Sequence, residues 1–210
     1  MKRFLTGCAL VIIAHSQAAT GAEPAVEETA TGETANPFAK GAKEFEDVAG
    51  TFFYFQAILH AAPAIDFAVN STRLGIMLSN PHGSNLLAGN VEALGEVFGA
   101  GVFDGLSGAL AGSTLIFRYN FIQPRTRFIP YLQGGGGFVY TTFSGHESRD
   151  LVSLPVEFNL QAGGGVRYRL DRHWSLLFEA GWRHISNADL KNPNYGINSV
   201  GGDVGLGYLF

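Results

Sequence analysis

The chain has 210 residues and a formal net charge of −4, with 14 basic against 18 acidic residues. That is room for one domain, and it gives no electrostatic reason to expect nucleic-acid binding. The single cysteine, Cys8, lies close to the N-terminus, so disulfide scaffolding and thiol chemistry are excluded downstream of it.

Lys2 and Arg3, followed by the apolar run from Phe4 to Ala14, read as a secretory signal. Small residues from Ala18 to Ala22 offer cleavage sites, and Thr20-Gly21-Ala22 sets the signal at residues 1–22. Its removal leaves a net charge of −6 and takes His15 with it. Leu5-Thr6-Gly7-Cys8 has the form of a lipoprotein box, but too few apolar residues precede Cys8 to make a signal core, and the match is read as chance. Residues 23–43 are rich in Ala, Glu, Thr and Pro and are expected to form a flexible acidic arm.

No later stretch offers the ~18 uninterrupted apolar residues of a spanning helix. Short alternating segments separated by turn residues instead predict strands near 44–56, 65–78, 89–99, 111–122, 127–143, 154–170, 173–186 and 197–210. In the sixth, Val156, Phe158, Leu160, Ala162, Val166 and Tyr168 share one face, while Glu157, Asn159, Gln161, Arg167 and Arg169 share the other. A soluble sandwich also alternates. Two features favour a membrane barrel: the polar face carries charges of both signs, and the apolar face carries aromatics near its ends. A sheet in lipid must close, because open edges are too costly there. The expected fold is therefore all-β, an eight-stranded antiparallel transmembrane barrel over residues 44–210. Eight strands leave an interior just wide enough to be filled by side chains, and Arg118, Glu157, Arg167, Glu179 and Arg183 are expected to pair within it.

Smaller features fit this frame. The Gly- and Ala-rich stretch from Phe98 to Ser113 is expected to contain a turn. Gly134 to Gly137 and Gly163 to Gly165 lie within strands, where glycine more often allows close packing than phosphate binding. His60, His82, His146 and His173 fall in loops or at strand ends without metal-ligand spacing. The last strand ends on Tyr208 and Phe210, and a terminal aromatic strand of this type resembles the assembly signal of bacterial outer-membrane barrels.

The most informative run is Trp182-Arg183-His184-Ile185-Ser186-Asn187. Residues i and i+2 on a strand face the same way, so His184 can serve as base to a Ser186 nucleophile. Trp174, Leu176, Phe178, Ala180 and Trp182 share that face, which is therefore the lipid side. With both termini periplasmic, odd strands run outward, and the pair lies near the outer leaflet. In a Gram-negative cell that leaflet is lipopolysaccharide.

The stretch His184-Ile185-Ser186-Asn187-Ala188-Asp189-Leu190-Lys191-Asn192-Pro193-Asn194-Tyr195-Gly196-Ile197-Asn198-Ser199 resembles the active-site region of the PagL-type lipid A 3-O-deacylases, outer-membrane esterases also called the acyloxyacyl hydrolase family. Leu87-Ala88-Gly89-Asn90-Val91-Glu92, Phe117-Arg118-Tyr119-Asn120-Phe121 and Ile129-Pro130-Tyr131-Leu132-Gln133-Gly134-Gly135-Gly136-Gly137 are also similar to the family. The resemblance implies a Gram-negative outer-membrane enzyme acting on lipid A without metal or cofactor. In it Ser186 attacks the ester, His184 acts as base and then acid, and Asn187 with neighbouring amides holds the oxyanion. It leaves the oligomeric state open.

The chain departs from the family at Asn198, where a Glu is expected as the third member of the triad, and at Asp189, where a small residue is expected. Asn198 shares the outer face with His184 and Ser186 across the last hairpin. Of the carboxylates available to substitute, Asp189 is the nearest, whereas Glu179 and Asp203 point inward by alternation. The substitution keeps open a second reading, a catalytically weak or inactive barrel with a structural or interaction role. A third, a small transport or ligand-binding barrel, needs a lumen or opening for hydrophobic ligands, and the charged interior argues against it.

Overall fold

A computed structural model describes residues 36–55, 64–143 and 151–210. The expected signal at 1–22, most of the expected arm, and His60 and His146 lie outside the described residues. The chain forms eight strands: β1 (Lys43–Tyr54), β2 (Ile65–Met77), β3 (Gly89–Gly105), β4 (Ala109–Phe121), β5 (Phe128–Thr141), β6 (Val156–Arg169), β7 (Trp174–Ser186) and β8 (Ile197–Leu209). Each pairs antiparallel with the next, and β1 pairs with β8, so the sheet closes into a barrel. Closure leaves no edge of unpaired N–H and C=O groups, which is the condition for a sheet in hydrocarbon. The connections after β1, β3, β5 and β7 share one end, here the loop end. Those after β2, β4 and β6 share the other, the turn end, with the C-terminus.

Seven strands fall close to their expected bounds. The third does not: expected to stop at residue 99, β3 continues to Gly105. Its alternation persists, with Ala100 buried between exposed Gly99 and Gly101, but such small side chains carry almost no hydropathy contrast. The turn expected between 98 and 113 is confined to the three residues between β3 and β4.

The lumen is filled in three layers. At the loop end Phe52, Phe67, Phe98, Leu110, Ile185 and Ile197 belong to one apolar cluster. In the middle, Arg73 donates to Glu179 (2.7 Å), Glu96 (2.9 Å) and Glu46 (3.3 Å). Arg118 bonds Glu46, Gln133 (2.9 Å) and Glu179 (3.3 Å), and Arg167 bonds Glu44. At the turn end Phe38, Met77, Ile129 and Leu209 close the interior. Phe38 belongs to the stretch expected to be an arm, yet it is only 1% exposed and lies under the Arg167 guanidinium at 5.2 Å.

The expected ion pairs are met in part. Arg118 and Glu179 pair, and Arg183 lies 3.6 Å from Glu96. Glu157 stays out of the network and accepts the Leu154 N–H at 2.8 Å. Arg73, Glu44, Glu46, Glu92 and Glu96, which the sequence reading had not singled out, contribute much of it. An interior so filled offers no lumen for transport.

Outside, Leu74, Leu115, Phe117, Leu132, Phe178 and Val204 are exposed along the strands. Phe53–Phe103 and Phe138–Phe158 form ring pairs near the loop end, and Phe128–Tyr168 and Trp174–Tyr208 near the turn end. An apolar band between two aromatic girdles is the exterior of a transmembrane barrel. A polar cluster interrupts it on β1 and β2: Asp47 faces outward and accepts from Asn70 (3.1 Å) and Thr72 (3.0 Å), so each of its oxygens is engaged.

Candidate active site

The site is built on the β7–β8 hairpin at the loop end. The hairpin register sets His184 directly opposite Asn198, and Ser186 follows His184 by two residues, so all three side chains leave the sheet on its outer face. The His184 Nδ1 lies 2.9 Å from Asn198 Oδ1, and Nε2 lies 2.8 Å from Ser186 Oγ. An amide oxygen can only accept. With the amide oxygen turned to the ring, the proton belongs on Nδ1, and Nε2 offers its lone pair to the Ser186 hydroxyl. This is the tautomer a general base requires. The Trp182 ring stacks on the imidazole from the preceding outward position, with centroids 5.7 Å apart and planes inclined by 13°.

Beside the pair runs an open-sided groove lined by Gly136, Phe138, Phe158, Leu160, Ser186 and Ala188. Its walls come from the ends of β5 and β6, so three neighbouring strands contribute to one surface. Gly136 provides the hollow: a Cβ there would stand 3.2 Å from Leu160 Cδ2. The sequence reading assigned this glycine run to close packing and had no means of finding the groove. The signal available was an outward-facing glycine flanked by outward-facing Leu and Phe on the adjacent strand, which becomes visible only once register is known.

The loop after β7 is held from below. Asn187 is buried, and its Nδ2 donates to Ser153 Oγ (2.9 Å) and to the Lys191 carbonyl (3.0 Å). One amide hydrogen is thus engaged by the β5–β6 connection and the other within the loop itself, and the structure does not bring this side chain into the groove. The next two residues, Ala188 and Asp189, have φ of 53° and 61°. Left-handed backbone is uncommon for residues with a side chain and often accompanies functional loops. Ser153, and Leu151 whose carbonyl receives the Gly196 N–H at 2.9 Å, brace the hairpin from the β5–β6 connection. Neither was anticipated from sequence.

None of the alternative carboxylates replaces Asn198. Glu179 lies inside the barrel with Arg73 and Arg118, Asp203 is buried, and Asp189 is exposed on the loop while Asn198 occupies Nδ1. His173 sits at the far end, with Nδ1 2.8 Å from the Leu209 carbonyl, and His82 lies in the β2–β3 turn.

The family model described as lipid A 3-O-deacylase (PagL) matches residues 77–207, a span holding His184, Ser186, Asn187 and Asn198. The chain belongs to the lipid A 3-O-deacylase (PagL) family. Among solved structures, the outer membrane enzyme PagL superposes with a TM-score of 0.52 at 17% identity, over 76% of this chain and 97% of that one. Neisserial surface protein A (NspA) superposes with a TM-score of 0.51 at 14% identity, over 81% and 98%. At such identities the likeness is one of fold. No curated protein matches the chain. The deacylase family and the eight-stranded outer-membrane type of barrel agree with the reading of the sequence.

Proposed function

We propose that this member of the PagL family is a serine esterase of the Gram-negative outer membrane that hydrolyses the 3-O-linked primary acyl chain of lipid A. The observation that carries this reading is the unbroken Ser186–His184–Asn198 chain of hydrogen bonds on the outer surface, beside an apolar groove. With the turn end towards the periplasm, the groove opens among the acyl chains and head groups of the lipopolysaccharide leaflet.

The reaction follows from the geometry. Ser186 Oγ attacks the ester carbonyl carbon as His184 Nε2 takes its proton. Charge collects on the carbonyl oxygen, where backbone N–H groups of the Ala188–Asp189 turn would receive it, with Asn187 holding that turn in place; one such donor is typically worth about 10²–10³ in rate. Collapse breaks the bond to the sugar oxygen, which leaves with the proton from His184. Water, deprotonated by the same Nε2, then releases the fatty acid from Ser186. The acyl chain lies along Phe138, Phe158 and Leu160.

Asn198 favours a second reading, a barrel of low or no turnover, because a neutral amide orients an imidazole without offsetting its charge. The test is mass spectrometry of lipid A from cells expressing wild type or Ser186→Ala. Loss of one 3-hydroxyacyl chain with wild type alone supports the esterase and its nucleophile. An unchanged lipid A with correctly folded wild type supports the inactive scaffold, and equal activity in both proteins would overturn the mechanism.

A further inference from the structure

The turn end carries a group of charges that the esterase reading does not use. Arg125 and Arg127 from the β4–β5 connection, with Arg169 and Arg172 from the end of β6 and its turn, line one groove. In the lumen, Arg73, Arg118 and Arg167 each meet carboxylates. Among the described residues, none of these four arginines has a carboxylate within salt-bridge range. The acid in the lining, Asp171, turns its Oδ1 to the amides of His173 and Trp174, both at 2.8 Å. Arg169 Nε is buried and has no hydrogen-bond partner. Like charges gathered in one recess repel, and the one carboxylate in the lining, Asp171, offsets only part of the charge of four guanidinium groups. Guanidinium forks match the oxygens of phosphate, which can take paired bonds from several of them at once.

Position selects the source of that phosphate. Arg127 is followed by Phe128, whose ring packs at 4.9 Å on Tyr168, the residue before Arg169. These rings belong to the turn-end girdle, and Leu170, 42% exposed, lines the groove as well. A basic recess just beyond an aromatic girdle lies at head-group depth. We propose that this groove binds the phosphate of an anionic phospholipid in the leaflet surrounding the turn end, with the acyl chains running over Phe128 and Tyr168. Bound there, the lipid fixes the depth of the barrel at the end opposite Ser186.

The experiment folds the full barrel in zwitterionic micelles and titrates phosphatidylglycerol, phosphatidylcholine or inorganic phosphate, reading retained ligand by native mass spectrometry. Arg125→Gln/Arg172→Gln is the variant, since both residues are exposed in turns, and heat-modifiable gel migration verifies that it is folded. Wild type should retain phosphatidylglycerol over phosphatidylcholine, and the variant should lose about tenfold in that affinity while its esterase activity is unchanged. Equal retention by the folded variant, or equal retention of phosphatidylcholine, would overturn the site. Saturation of the groove by inorganic phosphate at the same concentration would assign it to a soluble anion and overturn the lipid.

Discussion

His184, Ser186 and Asn198 stand on a mainly apolar exterior, and polar groups in that position are costly unless they satisfy one another or lie near the interface. They do both, at the rim and in one hydrogen-bonded line. The line has a weakness in Asn198. Its oxygen sets the useful tautomer, but a rotated amide would turn N–H groups towards Nδ1 and favour the wrong one; in a serine protease the Asp-to-Asn change lowers kcat about 10⁴-fold for this reason. A carboxylate cannot present the wrong group. Asn198→Glu should therefore raise kcat by at least about tenfold, measured on purified lipid A under single-turnover conditions. A rate no higher than wild type would show that the tautomer is already secure, or that the acid belongs elsewhere. The His-x-Ser pair itself was legible in the sequence, because a strand's period of two is a local property. The Trp182 stack was half legible, since the residue shares the face but its ring orientation depends on χ angles.

At the level of the element, β5 and the β7–β8 loop divide the work. The outward hollow at Gly136 exists because the adjacent outward position on β6 is Leu160, and the pairing of β5 with β6 sets the two side by side. Gly136→Val should fill it. The expected outcome is a loss of about tenfold or more in kcat/KM for long-chain esters with little change for an acetyl ester, since only the long chain reaches the groove. Equal loss for both would point to damage at His184 or Ser186 instead. In the loop, Asn187 follows Ser186 directly, and its side-chain amide donates to Ser153 and to the Lys191 carbonyl. Sequence adjacency says nothing about where an irregular loop turns a side chain. The β5–β6 connection that captures this one is more than thirty residues upstream.

For the whole molecule the determining feature is the charged layer across the lumen. Glu46 faces Arg73, Arg118 and Arg167 together. Charges inside a closed barrel have lost water, and a network of this kind is held by mutual compensation, so removing one partner leaves the others uncompensated. Glu46→Ala should destabilise the barrel by about 3–5 kcal/mol, read from the urea midpoint in lipid vesicles. A midpoint within error of wild type would mean that the arginines find other carboxylates. The same layer, with apolar clusters above and below it, separates this barrel from a pore of the same strand number.

The sequence by itself determined the class of fold and the side-by-side placement of His184 and Ser186 on one strand face. Alternation and turn residues depend on near neighbours, so eight strands, their lipid faces and an outward His184–Ser186 pair could be read along the chain. β3 marks the limit of that reading, because glycine and alanine carry too little contrast to show which face is which. Only the tertiary structure decided which charges meet across the lumen, that Phe38 closes its turn end, that Asn187 faces away from the groove, and that four arginines from two separate turns share one recess. These are contacts between residues distant in sequence. They are set by strand register and barrel closure, and no period along a single strand encodes them.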